Sequence, residues 1–297
     1  MAVNLSSLSV YVDENKLDLI RKSVLGAKTI GYLNLQTGVK GKTKINLLET
    51  TVTFGDGATC GFTDNATSKL SQREIDPASV KINASFCDKS MQKYFMNHQV
   101  AVAAGRSTLP FEEQFVNSLV ESTGVELEKA IWKGVDIGGT HYKGFVDLTS
   151  DGFTEFTDDG TTSIYENVRT VYDAIPPASL ADTVIFLGIG KYRELAGELT
   201  AKNLYHYDPK VDEAFEMILP GTTTKVVGVA GLDSLADDHI FALNVKHAFY
   251  GTDMEGDEEV FDLWYSKDNQ EWRAAINFVF GVQVAFPDEN VHLKITA

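Results

Sequence analysis

Cysteine is almost absent from this 297-residue chain, which carries only Cys60 and Cys87. The two make neither a CxxC pair nor a disulfide framework, so a small cross-linked secreted fold and a cysteine-based metal centre are excluded, and a reducing cytoplasm is expected. Long apolar runs are missing too. No stretch approaches the roughly 18 residues of a membrane-spanning helix. The opening MAVNLSSLSVYVDENK has no basic segment followed by an apolar one, so no signal peptide is expected. Prolines number 7, with no Pro/Ser linker, low-complexity tract or internal repeat to divide the chain. Bases are in short supply: 26 Lys and Arg against 42 Asp and Glu leave a formal charge of -16, a field that repels phosphate and disfavours nucleic-acid binding. What is present is ordinary for a globular protein, 43% hydrophobic and 23% charged, which excludes wholesale disorder, a coiled-coil rod and a collagen repeat. A chain of this length buries roughly 75% of its unfolded surface.

The placement of charge says more than its total. Residues 146–262 hold 23 of the 42 acids and 7 of the 26 bases, and the remainder of the chain is neutral. Within that neutral part, residues 19–48 contain six bases, Arg21, Lys22, Lys28, Lys40, Lys42 and Lys44, and no acid. Two readings follow. The runs are solvated faces, as charge runs usually are, or they are complementary patches that meet between copies of the chain. On the second reading the six bases are the candidate inter-subunit contact.

Hydrophobic spacing predicts the elements. Leu8 to Ala27 reads as a polar arm leading into a short helix. From Tyr32 to about Ile82 short alternations, as in KTKINLLETTVTF, read as two long strands joined by a tip rich in Gly, Asp, Asn and Thr. Such a hairpin has too few large side chains on its first arm and tip to build a core, so it packs on this subunit or extends onto another. Met91 to Ala104 reads as a short helix and Pro110 to Gly134 as a long one. In the latter Phe111, Phe115, Leu119, Thr123, Leu127 and Ile131 recur every four residues along about 37 Å. An α/β mixture follows: a helix near Ile164 to Tyr172, the strand TVIFL, a helix near Lys191 to Leu199, and strands in MILPGTTTKVVGVAGL and HIFALNVKHAFYG. Ala275 to Phe286 alternates strictly and is a strand.

Three strings invite chemistry. GVDIGGTHYKGFVDL resembles the phosphate-binding hairpin of ROK and actin-like sugar kinases, matching it at Asp136, Gly138, Gly139 and Thr140. That family opens its chain with the string, whereas here it follows a long helix, and a helix-terminal glycine followed by a turn accounts for it as well. FLGIGKYREL places Gly188 and Gly190 between a strand and a helix, as in a dinucleotide site, but Arg193 stands where the third glycine belongs. The acidic run Asp253, Glu255, Asp257, Glu258, Glu259 lacks calcium-loop spacing. Histidines 98, 141, 206, 239, 247 and 292 are scattered without metal-site spacing, and no GxSxG occurs. No catalytic, cofactor-binding or metal-ligating constellation is therefore expected, and the chain is expected not to be an enzyme.

The order of elements, more than any motif, carries a resemblance. FEEQFVNSLVESTGVELEKAIWKG as a spine helix, YENVRTVYDAIPPASLADTVIFLGIGKYREL as helix, strand and helix, and the late strands from HAFYGTDMEG to FPDENVHL together resemble the Hong Kong 97 fold of tailed-phage major capsid proteins. The resemblance implies an α+β fold divided as N-terminal arm and short helix (1–30), E-loop-like hairpin (31–75), P-domain with the spine helix 110–134 (76–148), A-domain-like α/β region (149–250) and closing strands (251–297). It implies a structural subunit that assembles into hexamers and pentamers of an icosahedral shell around a phage genome. Implied partners are a separate scaffolding protein, or else a chain already processed, since no helical segment of about a hundred residues precedes the arm, together with a portal and a decoration protein. Double-stranded DNA would be enclosed without specific binding, no membrane would be involved, and assembly would take place in the bacterial host cytoplasm before the protein resides in the virion. An encapsulin-type nanocompartment shell is the alternative within the same fold, and a sugar kinase the alternative outside it.

Overall fold

A computed structural model describes residues 27–55, 66–87, 111–202, 215–253, 260–269 and 271–296. The helices expected at Leu8 to Ala27 and Met91 to Ala104, the hairpin tip and most of the late acidic run lie outside the described residues.

In chain order, a 3-10 turn at Lys28–Tyr32 leads into β1 (Asn34–Gln36), β2 (Thr43–Val52), β3 (Ala66–Ile75) and β4 (Ala78–Cys87). The long helix α1 (Phe111–Lys133) is followed by a small hairpin, β5 (Val135–Ile137) and β6 (Thr140–Tyr142), and by the single turn α2 (Phe145–Leu148). Then come β7 (Thr154–Asp158), α3 (Ile164–Ala174), β8 (Thr183–Gly188), α4 (Ile189–Ala201), β9 (Glu216–Ile218), β10 (Lys225–Val229) and β11 (Asp238–Asn244). The chain closes with β12 (Ala248–Thr252), β13 (Val260–Ser266), β14 (Glu271–Val284) and β15 (Val291–Ile295).

Two sheets organise these strands. In the five-stranded one β14 is central, with β4 along one edge and β12 and β13 following each other along the opposite edge, and β1 pairs with β12. The six-stranded sheet has the order β7-β15-β11-β8-β10-β9. Its strand β8, TVIFLG, is buried at every residue because it is flanked on both sides and covered on both faces. The two extended strands read from Tyr32 to Ile82 resolve differently. β2 and β3 form a separate hairpin, the chain breaks at Asp76 and Pro77, and β4 leaves to pair with β14 from Ala78↔Phe280 to Cys87↔Glu271. Pro77 offers no backbone N–H, so a ladder cannot run through it.

Helix α1 joins the sheets. Its 23 residues span about 34 Å, and it stops where Gly134 takes a left-handed φ of 78° and donates back to the Ala130 carbonyl at 2.8 Å. Val116, Val120, Leu127, Ile131 and Trp132 bury one face against Ile276, Phe278 and Phe280 of β14, and the same cluster continues through Phe186 of β8 and Phe241 of β11. Trp132 sits 5.4 Å from Phe186 and 5.2 Å from Phe241 between ring centres. Near the same end of the helix, the buried Glu128 carboxylate accepts from the Thr29 backbone N–H at 3.1 Å and from the Thr29 hydroxyl. This bond fastens the start of the described chain to α1. A second cluster lies on the other face of the six-stranded sheet, where Ile164, Val168 and Val171 of α3 and Leu195 and Leu199 of α4 cover Ile185, Leu187 and Ile240.

Candidate assembly surface

The β2–β3 hairpin pairs ten residues on each arm, from Thr43↔Ile75 at the base to Val52↔Ala66 near the tip. Its base is seated on this chain. Val39, Ile45, Leu47 and Ile75 are buried with Ala285, and the floor beneath them is a cross-strand pair of glycines, Gly251↔Gly281. A methyl on Gly281 would lie 2.9 Å from Ile75 Cγ2 and 3.1 Å from Pro77 Cα, so only glycine admits the hairpin this close. The Gln283 amide adds a hydrogen bond to the Glu74 carbonyl at 2.7 Å.

Beyond Leu47 the hairpin loses its support. Leu48 and Leu70, directly opposite each other, are 64% and 79% exposed, and Val52 and Phe54 are 65% and 105% exposed. The polar rungs Asn46–Gln72 (2.8 Å) and Thr50–Ser68 (3.1 Å) flank the leucine pair on the same face. The result is an apolar strip with a polar border on an arm that reaches past its own core. Burying side chains of this size is worth about 1.5–3 kcal/mol each, a gain this chain does not collect on its own. Sequence reasoning located the hairpin but did not single out these four residues. The only signal was the adjacency of Leu47 and Leu48, which puts apolar side chains on both faces of one strand.

The basic residues are distributed along the approach to this arm. Arg21 and Lys22 lie outside the described residues. Lys28 is partly buried and pairs with Glu216 of its own chain at 3.6 Å, while Lys42 reaches Asp76 at 3.2 Å. Lys40 and Lys44 are exposed and without an ion pair among the described residues. The structure thus engages two of the six within the chain and leaves Lys40 and Lys44 facing solvent.

The three tempting strings receive structural roles. In DIGGT, Gly138 and Gly139 have φ of 59° and 82°, the two left-handed residues of a tight turn between β5 and β6. Asp136 accepts a hydrogen bond from His141 at 2.7 Å, and the other ring nitrogen of His141 lies 3.0 Å from Asp147, whose carboxylate also takes the Gly144 N–H. The hydrogen bond to Asp147, and after it that to Asp136, raises the pKa of His141. In FLGIG, Asp233 occupies the position a phosphate would need: its carboxylate accepts from Ile189 N at 2.9 Å and Gly190 N at 3.1 Å at the start of α4, and a methyl on Gly188 would fall 2.3 Å from it. Asp253, first of the late acidic run, is fully buried just after β12, and neither of its carboxylate oxygens has a hydrogen-bond partner among the described residues. Among the described residues no group of three or more His, Cys, Asp and Glu side chains converges, and no helix is long and apolar enough to cross a membrane. A cavity of about 540 Å³ opens between α1 and the five-stranded sheet, lined by Leu119, Leu127 and Ala130 on one side and Val80, Ile82 and Phe278 on the other.

No protein-family model and no curated protein matches the chain. Solved structures do. The capsid of a native GTA particle superposes with a TM-score of 0.59 over 93% of this chain and 91% of that one at 10% identity. The procapsid of satellite phage P4 gives 0.58 over 96% and 100% at 11% identity. An encapsulin from Synechococcus elongatus gives 0.58 over 89% and 85% at 9% identity. These likenesses cover nearly the whole of each chain and show the fold, the α+β capsid fold of the Hong Kong 97 kind expected from the order of elements.

Proposed function

We propose that this chain is the major capsid protein of a tailed bacteriophage, a structural subunit that assembles with copies of itself into an icosahedral shell around the genome. The carrying observation is the β2–β3 arm: it is seated at its base, exposes an apolar strip beyond it, and belongs to a fold whose solved examples above are shells. Leu48, Leu70, Val52 and Phe54 are what a neighbouring copy would cover, and Lys40, Lys42 and Lys44 at the base of the arm carry positive charge suited to the acidic residues of 146–262. In this reading residues 1–30 are the arm, 31–75 the E-loop, 76–148 the P-domain, 149–250 the A-domain and 251–297 the closing strands. A separate scaffolding protein, a portal and a decoration protein are its partners, DNA is enclosed without specific contact, and assembly precedes residence in the virion.

Electron microscopy of the purified protein, with mass analysis of any contents, tests this. Closed shells of uniform size containing DNA are expected in infected cells, and a protein that stays monomeric at every concentration and salt would overturn the reading. A nanocompartment is the second reading, favoured by the superposition on the encapsulin and by the apolar cavity beside α1. Shells holding a cargo protein in place of DNA would select it.

A further inference from the structure

The six-stranded sheet holds a buried pair of histidines. His239 on β11 and His292 on β15 are 7% and 5% exposed, and His239 Nδ1 lies 2.8 Å from His292 Nε2. The two rings stack with centres 5.1 Å apart, and His292 stacks in turn on Phe241 at 4.5 Å. Phe241 packs on Trp132, so the pair lies one ring beyond the aromatic contact through which α1 meets this sheet. A bond of 2.8 Å between two imidazole nitrogens needs one N–H and one lone pair. If both rings are charged, two N–H groups point at each other, and the bond becomes a repulsion. Among the described residues His292 Nδ1 is buried with no hydrogen-bond partner, and its nearest counter-charge is Glu155 of β7 at 3.7 Å.

We propose that the His239–His292 pair is an acid-sensitive latch, which holds β7, β15 and β11 to the α1 joint while at least one ring is neutral and releases that edge of the sheet when both take up protons. The charged groups around it are few. Lys294 on β15 and the Asp237 and Asp238 carboxylates at the start of β11 face His239, while Glu155 and Lys294 face His292. Lys294 is itself tied to Asp237 at 2.7 Å and Asp238 to Lys191 at 3.4 Å, so of the three carboxylates around the pair only Glu155, 3.7 Å from His292 Nδ1, is without a lysine partner among the described residues. Burial is the main cause holding His239 below its ordinary value, and burial followed by the neighbouring His239 pushes His292 down to about 4. In the unfolded chain the same rings titrate near 6.5. Their depressed values mean that the unfolded or opened state binds more protons, so the latch is fully effective above about pH 6.5 and weakens as pH falls toward 4.

The latch belongs to the single chain and is tested on it, apart from any assembly. Hydrogen exchange, corrected for its intrinsic pH dependence, is compared between pH 7.5 and pH 5 in the wild type and in His292→Phe, which keeps the stack on Phe241 and removes one of the two titrating rings. The expected result is a loss of protection of more than about tenfold over 154–158, 238–244 and 291–295 in the wild type, with 278–284 unchanged, and a clearly smaller loss in the variant, where His239 titrates alone. Equal protection at both pH values, or the same loss in His292→Phe, overturns the proposal. Should the variant not fold, imidazole resonances of the wild type decide: rings that stay neutral to below pH 5 and charge as the edge opens support the latch, and rings that titrate near 6.5 with the sheet intact overturn it.

Discussion

Single residues in this protein are constrained most where backbone meets backbone. Gly281 and Gly251 form the floor under the hairpin base, but not equally. A methyl on Gly281 meets the Pro77 Cα at 3.1 Å as well as Ile75 at 2.9 Å, whereas the nearest atoms to one on Gly251 belong to the side chains of Val39 and Ile75 at 3.2–3.3 Å. Gly281→Ala is therefore expected to cost about 1–3 kcal/mol in urea unfolding, the usual range for overpacking, and Gly251→Ala less. Asp233 is constrained for another reason. Its carboxylate satisfies two N–H groups at the start of α4 from a position 44 residues away from Ile189. Asp233→Ala should lower stability by about 1–2 kcal/mol, and an unchanged urea midpoint would mean that water replaces the cap without loss.

Among the elements, the β2–β3 hairpin separates folding from association. Ile45, Leu47 and Ile75 are already buried and belong to the stability of the subunit, whereas Leu48 and Leu70 touch little of it. Replacing both leucines with Gln should change the unfolding free energy of the isolated chain by no more than about 0.5 kcal/mol, as for other exposed positions. The same double variant is expected to abolish or weaken shell formation, because the strip exposed on the arm is lost. Sedimentation of the assembled and unassembled fractions checks it, and normal shells from the variant would move the contact away from this strip. Helix α1 stands at the opposite extreme: its apolar face reaches both sheets, so its substitutions act on the whole fold.

At the scale of the whole molecule, charge is divided along the chain, with an acidic later region and a basic early one. Ion pairs between exposed groups are worth under about 1 kcal/mol each, so no single pair decides assembly. Several per subunit, repeated around a closed ring, add up. Lys40→Glu, Lys42→Glu and Lys44→Glu together are expected to leave a folded, soluble chain that forms shells weakly or not at all, and added salt should weaken wild-type assembly in the same direction. Light scattering across a salt series measures both effects. Normal assembly of the triple variant would mean that the basic stretch is only a solvated face.

Local spacing in the sequence was sufficient for the elements whose patterns repeat over many residues. The four-residue recurrence through Leu119, Leu127 and Ile131 marked α1 to within a residue at each end, and the run TVIFL marked β8, because backbone geometry imposes those periods directly. The basic stretch was equally legible, since charge needs no fold to be counted. Sheet membership depended on the tertiary structure. β4 follows the hairpin yet pairs with β14, β12 and β14 lie in one sheet while β15 lies in the other, and each pairing joins residues far apart in the chain. Alternation says that a strand has two faces, but only packing decides which is covered: Leu47 is buried and Leu48 exposed because the glycine floor lies beneath one face of the hairpin base. The same holds for Asp233 at the start of α4 and for His239 against His292, 53 residues apart. A sequence records which side chains are available, whereas a hydrogen bond of 2.8 Å exists only once the folded backbone has brought its two ends together.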